Sequence, residues 1–117
     1  MGLKNMRNSS TYTPLMNNTK WEELRLGMHN LTPPPKWRTK DLMNGYISNW
    51  DGEWFYHFKV GGYETIEWVE ILFSSPEQKE MVLTELSKIH IPIEILSESI
   101  KVFGFVLPGV FTEYAKL

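Results

Sequence analysis

The chain contains no cysteine, which excludes disulfides, thiolate catalysis and Cys-ligated zinc and suits a reducing compartment. It also lacks any apolar run of signal-peptide or membrane-span length: "MGLKNMRNSSTYTPL" has two positive charges with nothing hydrophobic behind them. A soluble, cytoplasmic protein with no membrane partner is the expectation. The N-x-S/T triplets at Asn8, Asn17 and Asn30 matter only in a secreted chain and are set aside. Excess charge of one sign is missing too. Twelve Lys and Arg against fourteen Asp and Glu leave a formal charge of −2, no field to gather a polyanion, and so no nucleic acid among the expected partners.

The usual chemical signatures are absent as well. His29, His57 and His90 lie far apart, and the "DGE" at residues 51–53 lacks the remaining ligands of a calcium loop, so no metal is expected. No glycine-rich loop precedes a helix and no serine sits in a G-x-S-x-G turn, so neither a cofactor nor a serine nucleophile is indicated. The sequence by itself names no activity.

What is present is one domain's worth of globular chain: 117 residues, 42% apolar, 22% charged, with a high aromatic content of 14%. Residues 1–15 are polar and aperiodic and read as a mobile tail, or as an extension upstream of a natural start at Met16; residues 16–117 form the domain. In "MNNTKWEELRLGMHNL", Asn18 or Thr19 can cap a helix on which Trp21, Leu24 and Met28 share a face, shortened by Gly27. "TPPPKWR" stops it and acts as a rigid connector delivering Trp37 to the core. "SSPEQKEMVLTELSKIH" is the clearest helix, with Ser75 at the N-cap, Pro76 at the first helical position, and an apolar stripe of Val82, Leu83, Leu86 and Ile89.

Between the helices, three strands are expected over residues 38–48, 53–60 and 63–73, joined by turns at Asp51-Gly52 and Gly61-Gly62. "IPIEIL" and "IKVFGFVL" add two more, and "VFTEYAKL" is a docking segment or a frayed end. The expected fold is α+β: an antiparallel sheet of about five strands with two helices on one face, in the order α-β-β-β-α-β-β.

Strand parity then divides the middle stretch. A two-residue loop at Gly61-Gly62 pairs Phe55 with Trp68, His57 with Ile66 and Lys59 with Glu64. Trp54, Tyr56, Phe58, Val60, Tyr63, Val69 and Ile71 fall on the core face, together with an awkward Glu67 that needs a partner or a place at the sheet edge. Tyr46, Glu53, Phe55, His57, Trp68 and Glu70 fall on the other face, as one aromatic and acidic patch.

That patch has the composition of a protein interface, or of a platform for a sugar or a cationic ligand, provided no second layer covers it. A non-enzymatic interaction or ligand-binding module, by analogy an inhibitor or immunity-type partner of another protein, ranks first. A carboxylate-dependent hydrolase using Glu53 and Glu70 is the rival, and it requires a cleft and one carboxyl with a raised pKa. Oligomeric state is open. The spaced motifs "NNTKW", "WDGEWFYHF", "IEWVEI" and "KIHIP", over residues 16–106, resemble a family of small bacterial proteins of unknown function. That resemblance implies no activity and no catalytic residue.

Overall fold

The Asn17 side chain accepts the Lys20 amide proton at 2.8 Å and caps helix α1, Asn18–His29, one residue earlier than the sequence suggests. The computed structural model describes residues 12–107 and the backbone of residues 113–114. Helix α1 runs through Gly27, and Trp21, Leu24 and Met28 are all buried on one side of it. The proline connector then places Trp37 in the core. It opens strand β2, Lys36–Asp41, which pairs antiparallel with β3, Ile66–Leu72.

Helix α2, Pro76–Ile89, starts at the Ser75 cap and ends at His90, whose φ of 63° is the left-handed turn that stops helices. Strands β4 (Pro92–Ile95) and β5 (Ser99–Phe103) follow. A main sheet in the order β2-β3-β5-β4 is completed at its far edge by a short strand, Glu113–Tyr114, on β4. The remainder of "VFTEYAKL" lies outside the described residues. Thr13–Pro14, which the sequence places in the tail, pair with Phe105–Val106 in a separate two-stranded ribbon. In chain order the short strands are β1 (Thr13–Pro14), β6 (Phe105–Val106) and β7 (Glu113–Tyr114). Residues 1–11 are outside the described set.

The expected α+β architecture is present, with both helices packed on one face of the sheet. Trp21, Leu24, Met28, Val82 and Leu86 of the helices share a cluster with Trp37, Val69, Ile71, Ile100 and Val102 of the strands. The opposite face carries Arg38 of β2, Glu70 of β3, Lys101 of β5 and Glu94 of β4 side by side, alternating in sign across four strands.

The middle strand expected over residues 53–60 does not form. Strand β2 pairs directly with β3, so Trp68 lies opposite Lys40 and Phe103, and the pairing of Phe55 with Trp68 and His57 with Ile66 is corrected. Residues 42–65 instead make a long folded loop. Within it, Lys59 and Gly62 donate amide protons to Tyr56 and Lys59 carbonyls three residues back, as in successive turns. Trp54 and Phe58, four residues apart, are buried while Tyr56 and Val60 are exposed. The burial period is that of a helical turn, not that of a strand.

The cause is Glu53, whose carboxylate accepts the amide protons of Phe55, Tyr56 and His57 at 2.7–3.2 Å. A side chain that satisfies three successive amides removes the donors a ladder needs. The expected turn at Gly61-Gly62 is there, with φ of 90° and 82°, values that favour glycine. Glu67, the odd residue of the alternating pattern, sits at an irregularity in the β2–β3 ladder between Lys40 and Asp41. Its carboxylate lies 3.8 Å from the Lys40 ammonium of the adjacent strand, not beside Tyr56.

Candidate functional site

The 42–65 loop is built from both ends. At its start Asp41 Oδ1 accepts the amide protons of Met43 and Asn44, and Gly45, with φ of 74°, turns the chain back along β2. Trp37 and Asp51 then exchange both backbone hydrogen bonds at 2.8 Å, and Ser48 donates its amide proton to the Thr39 carbonyl at 2.9 Å. The outer edge of β2 is thereby occupied, which removes one template for strand pairing with another chain.

At its far end the loop is held to α1. Buried Arg25 donates to the Phe55 carbonyl and to Glu22, and the Tyr63 hydroxyl also donates to Glu22. Arg25 first and Tyr63 second hold the Glu22 carboxyl below its ordinary range. Burial, then Glu22, pushes the Tyr63 phenol well up. Trp54 Nε1 donates to the Pro35 carbonyl at 2.7 Å, tying the loop to the proline connector.

His57 is supported on two sides. Its Nδ1 lies 2.9 Å from Asp51 Oδ2, while Asp51 Oδ1 accepts the Glu53 amide proton and Glu53 accepts the His57 amide proton. Burial raises the Asp51 carboxyl, but the Glu53 and Gly52 amides and the His57 ring outweigh it and hold it low. Glu53 is held low chiefly by the His57 amide, then by that of Tyr56. His57 and Tyr46 line a cleft of about 300 Å³ with Trp37, Phe58, Thr39, Lys40, Asp41 and Thr65. A larger groove of about 680 Å³ lies between the proline connector and the start of α2, and none of the six residues singled out in the sequence lines it.

The structure divides those six. Tyr46, Glu53, Phe55 and His57 are on the loop; Phe55, 48% exposed, is flanked by the Arg25 guanidinium and the His29 ring. Trp68 and Glu70 are on the open face of the sheet but are only 6% and 8% exposed. The Lys101 ammonium sits 4.3 Å from the Trp68 ring, and Glu70 accepts from Arg38 Nε at 2.9 Å and from the Ser99 hydroxyl at 2.6 Å. The single patch expected from parity is therefore corrected: Trp68 does not anchor an exposed platform. The Glu53–Glu70 pairing fares no better as a hydrolase. Each carboxylate is committed to other groups, neither lines either cavity, and both are held below their ordinary range where a general acid needs the reverse.

Burial raises the Glu70 carboxyl, but Ser99 and Arg38 together more than offset it. A carboxyl depressed on folding stabilises the native state above its unfolded pKa of about 4.3, and that stability is lost as pH falls through the folded value. Glu70→Gln is therefore expected to lower the melting temperature at neutral pH and to flatten its decline between about pH 5 and pH 3. Calorimetry across that range checks this; a decline parallel to the parent protein's would show that Glu70 is not the linked group.

Three loop residues were not among the candidates. Asp51 reads as a turn former, although an acid six residues before the histidine is what orients the ring. Trp50 stacks under the Arg38 guanidinium at 4.5 Å. Tyr56, expected on the core face, is 63% exposed. The four-residue spacing of Trp54 and Phe58 after an acid at 53 is the signal of a capped turn that could have identified the loop.

Among the described residues no three His, Asp or Glu side chains are grouped to hold a metal, and no helix is long and apolar enough to cross a membrane. No curated protein and no solved structure matches the chain. One family model does match, over residues 3–109, and the chain accordingly belongs to that family of unknown function, DUF6678.

Proposed function

We propose that this protein is a non-enzymatic interaction module of the bacterial cytoplasm, and that its contact surface is the 42–65 loop. One observation carries this reading. Of the nine large apolar side chains that stand exposed among the described residues, six fall in one short stretch: Tyr46, Ile47, Trp50, Phe55, Tyr56 and Val60. Scattered exposed apolar residues need no explanation, but a concentration rich in Tyr, Trp and Phe matches the composition of interface centres.

The loop that presents them is fixed by Glu53, Arg25, Tyr63 and the Trp37–Asp51 bridge. Little conformational freedom is left to lose on binding. Residues 41–65 also hold Asp41, Asp51, Glu53 and Glu64 against one lysine, Lys59. A basic protein surface is the complementary partner, recognised by charge at the rim and by cation–π contact at the rings. An inhibitor or immunity-type protein is the analogy that this composition suggests.

Tyr46→Ala/Tyr56→Ala tests the surface. With both side chains in solvent, the melting temperature is expected to stay within about 2 °C of the parent's, since such surface changes cost about 0.5 kcal/mol or less. Capture of a partner from the native host is expected to weaken at least about tenfold, the scale of one interface hot spot. A variant that folds and captures the same partner undiminished contradicts the reading.

A further inference from the structure

The cleft beside the loop contains an imidazole prepared for a ligand that the protein partner does not account for. Nδ1 of His57 is held by Asp51 Oδ2, so the neutral ring carries its proton on Nδ1 and its lone pair on Nε2. Among the described residues Nε2 has no hydrogen-bond partner, while the ring lines the cleft. The support extends outward: Asp51 is fixed through both backbone hydrogen bonds to Trp37 and through the Glu53 amide, and Glu53 in turn holds the His57 amide. Ordering of a ring by an outer carboxylate is what binding and proton-accepting imidazoles require.

The other walls set the class of ligand. Trp37 and Phe58 supply aromatic surface, and Thr39, Asp41, Tyr46 and Thr65 supply hydroxyl and carboxylate groups. Lys40 lines the same cleft as Asp41, but its ammonium already lies 3.8 Å from the Glu67 carboxylate, so among the described residues the cleft offers no free cation to hold an anionic ligand. The volume of about 300 Å³ is at the small end of ligand sites, about 300–1,000 Å³.

We propose that this cleft binds a small neutral polyhydroxylated molecule of monosaccharide size, with His57 Nε2 accepting a hydrogen bond from a ligand hydroxyl and Asp51 positioning the ring. The cleft shares Tyr46 and Val60 with the protein-interaction surface, and the two readings are separated by residues that belong to only one of them. His57→Ala addresses the cleft, whereas Tyr56→Ala addresses only the exposed rings.

Saturation-transfer NMR with glucose, galactose, mannose and N-acetylglucosamine tests it. At least one of these sugars is expected to receive saturation from the parent protein, and His57→Ala is expected to weaken that sugar about tenfold, the upper end of the worth of one hydrogen bond. Asp51→Asn is expected to weaken it and also to shift the ring ¹⁵N signals of His57 toward the other tautomer, which a merely structural role for Asp51 would not do. An unchanged amide spectrum of each variant away from the cleft shows that the fold is retained. Absence of transfer to all four sugars, equal affinity in His57→Ala, or tighter binding of glucose 6-phosphate than of glucose would each overturn the proposal.

Discussion

Trp54→Ala is expected to destabilise the protein by about 3–5 kcal/mol, a large share of the roughly 5–15 kcal/mol that holds a domain folded. Trp54 is 1% exposed, lies 4.9 Å from the Phe58 ring and 5.8 Å from that of Trp37, and donates its indole proton to the Pro35 carbonyl. Its removal opens a cavity where the loop, the proline connector and the sheet meet, and leaves that carbonyl without its donor. Tyr56→Ala, two positions on, is expected to cost about 0.5 kcal/mol or less, because its ring is in solvent. Urea denaturation of the two variants separates the folded loop from an alternating strand, in which both residues would face the core. Equal costs would restore the strand.

Gly104→Ala is the second large effect. A Cβ built at Gly104 would stand 2.2 Å from the Ile66 carbonyl oxygen and 3.0 Å from the Trp21 ring. The first is backbone at the start of β3 and the second is a buried helix residue, so neither can yield without moving a core element. Gly104 donates its amide proton to the Glu67 carbonyl and accepts one from Leu15, joining the β1–β6 ribbon to the main sheet. A loss of about 3 kcal/mol is expected, the upper end of the usual overpacking range. The strand pairing of Thr13–Pro14 is expected to weaken with it, visible as faster amide exchange at Leu15. A variant of near-parental stability would show that the approach of Gly104 to β3 is looser than described.

The two predictions concern opposite kinds of residue, and they mark where the sequence was legible. Helix α2 could be read nearly residue by residue, because Ser75, Pro76 and the stripe through Val82 and Leu86 are local signals that nothing in the tertiary structure opposes. From residue 68 onward the parity of the third expected strand was also legible: Val69 and Ile71 face the helices, and Trp68 and Glu70 face away, whereas the irregularity at Glu67 puts Ile66, expected on the outer face, in the core cluster. What parity does not report is whether an outward side chain sees solvent. Trp68 and Glu70 are covered by cations from neighbouring strands, a contact that depends on which strands become neighbours.

The loop was misread for a different reason. Its aromatic residues and Gly-Gly turn satisfy a hairpin pattern, and the competing signal rests on a single carboxylate at Glu53 that caps three amides. Strand propensity reflects a fit to a pleated surface, and here β3 had already taken the place beside β2. Of the six candidate residues, Tyr46, Glu53, Phe55 and His57 lie on the loop and not on a strand face. The pairing of His57 with Asp51 required the folded geometry to emerge.

We propose that the protein meets its partner through the aromatic loop and not through the open face of the sheet. Hydrogen-exchange footprinting of the complex with the captured host partner tests this most directly. Slowed exchange across residues 46–60 is expected on complex formation, with residues 99–103 of β5 unaffected. Protection confined to β5 and the Arg38–Glu70–Lys101 face, with the loop exchanging as in the free protein, would contradict it.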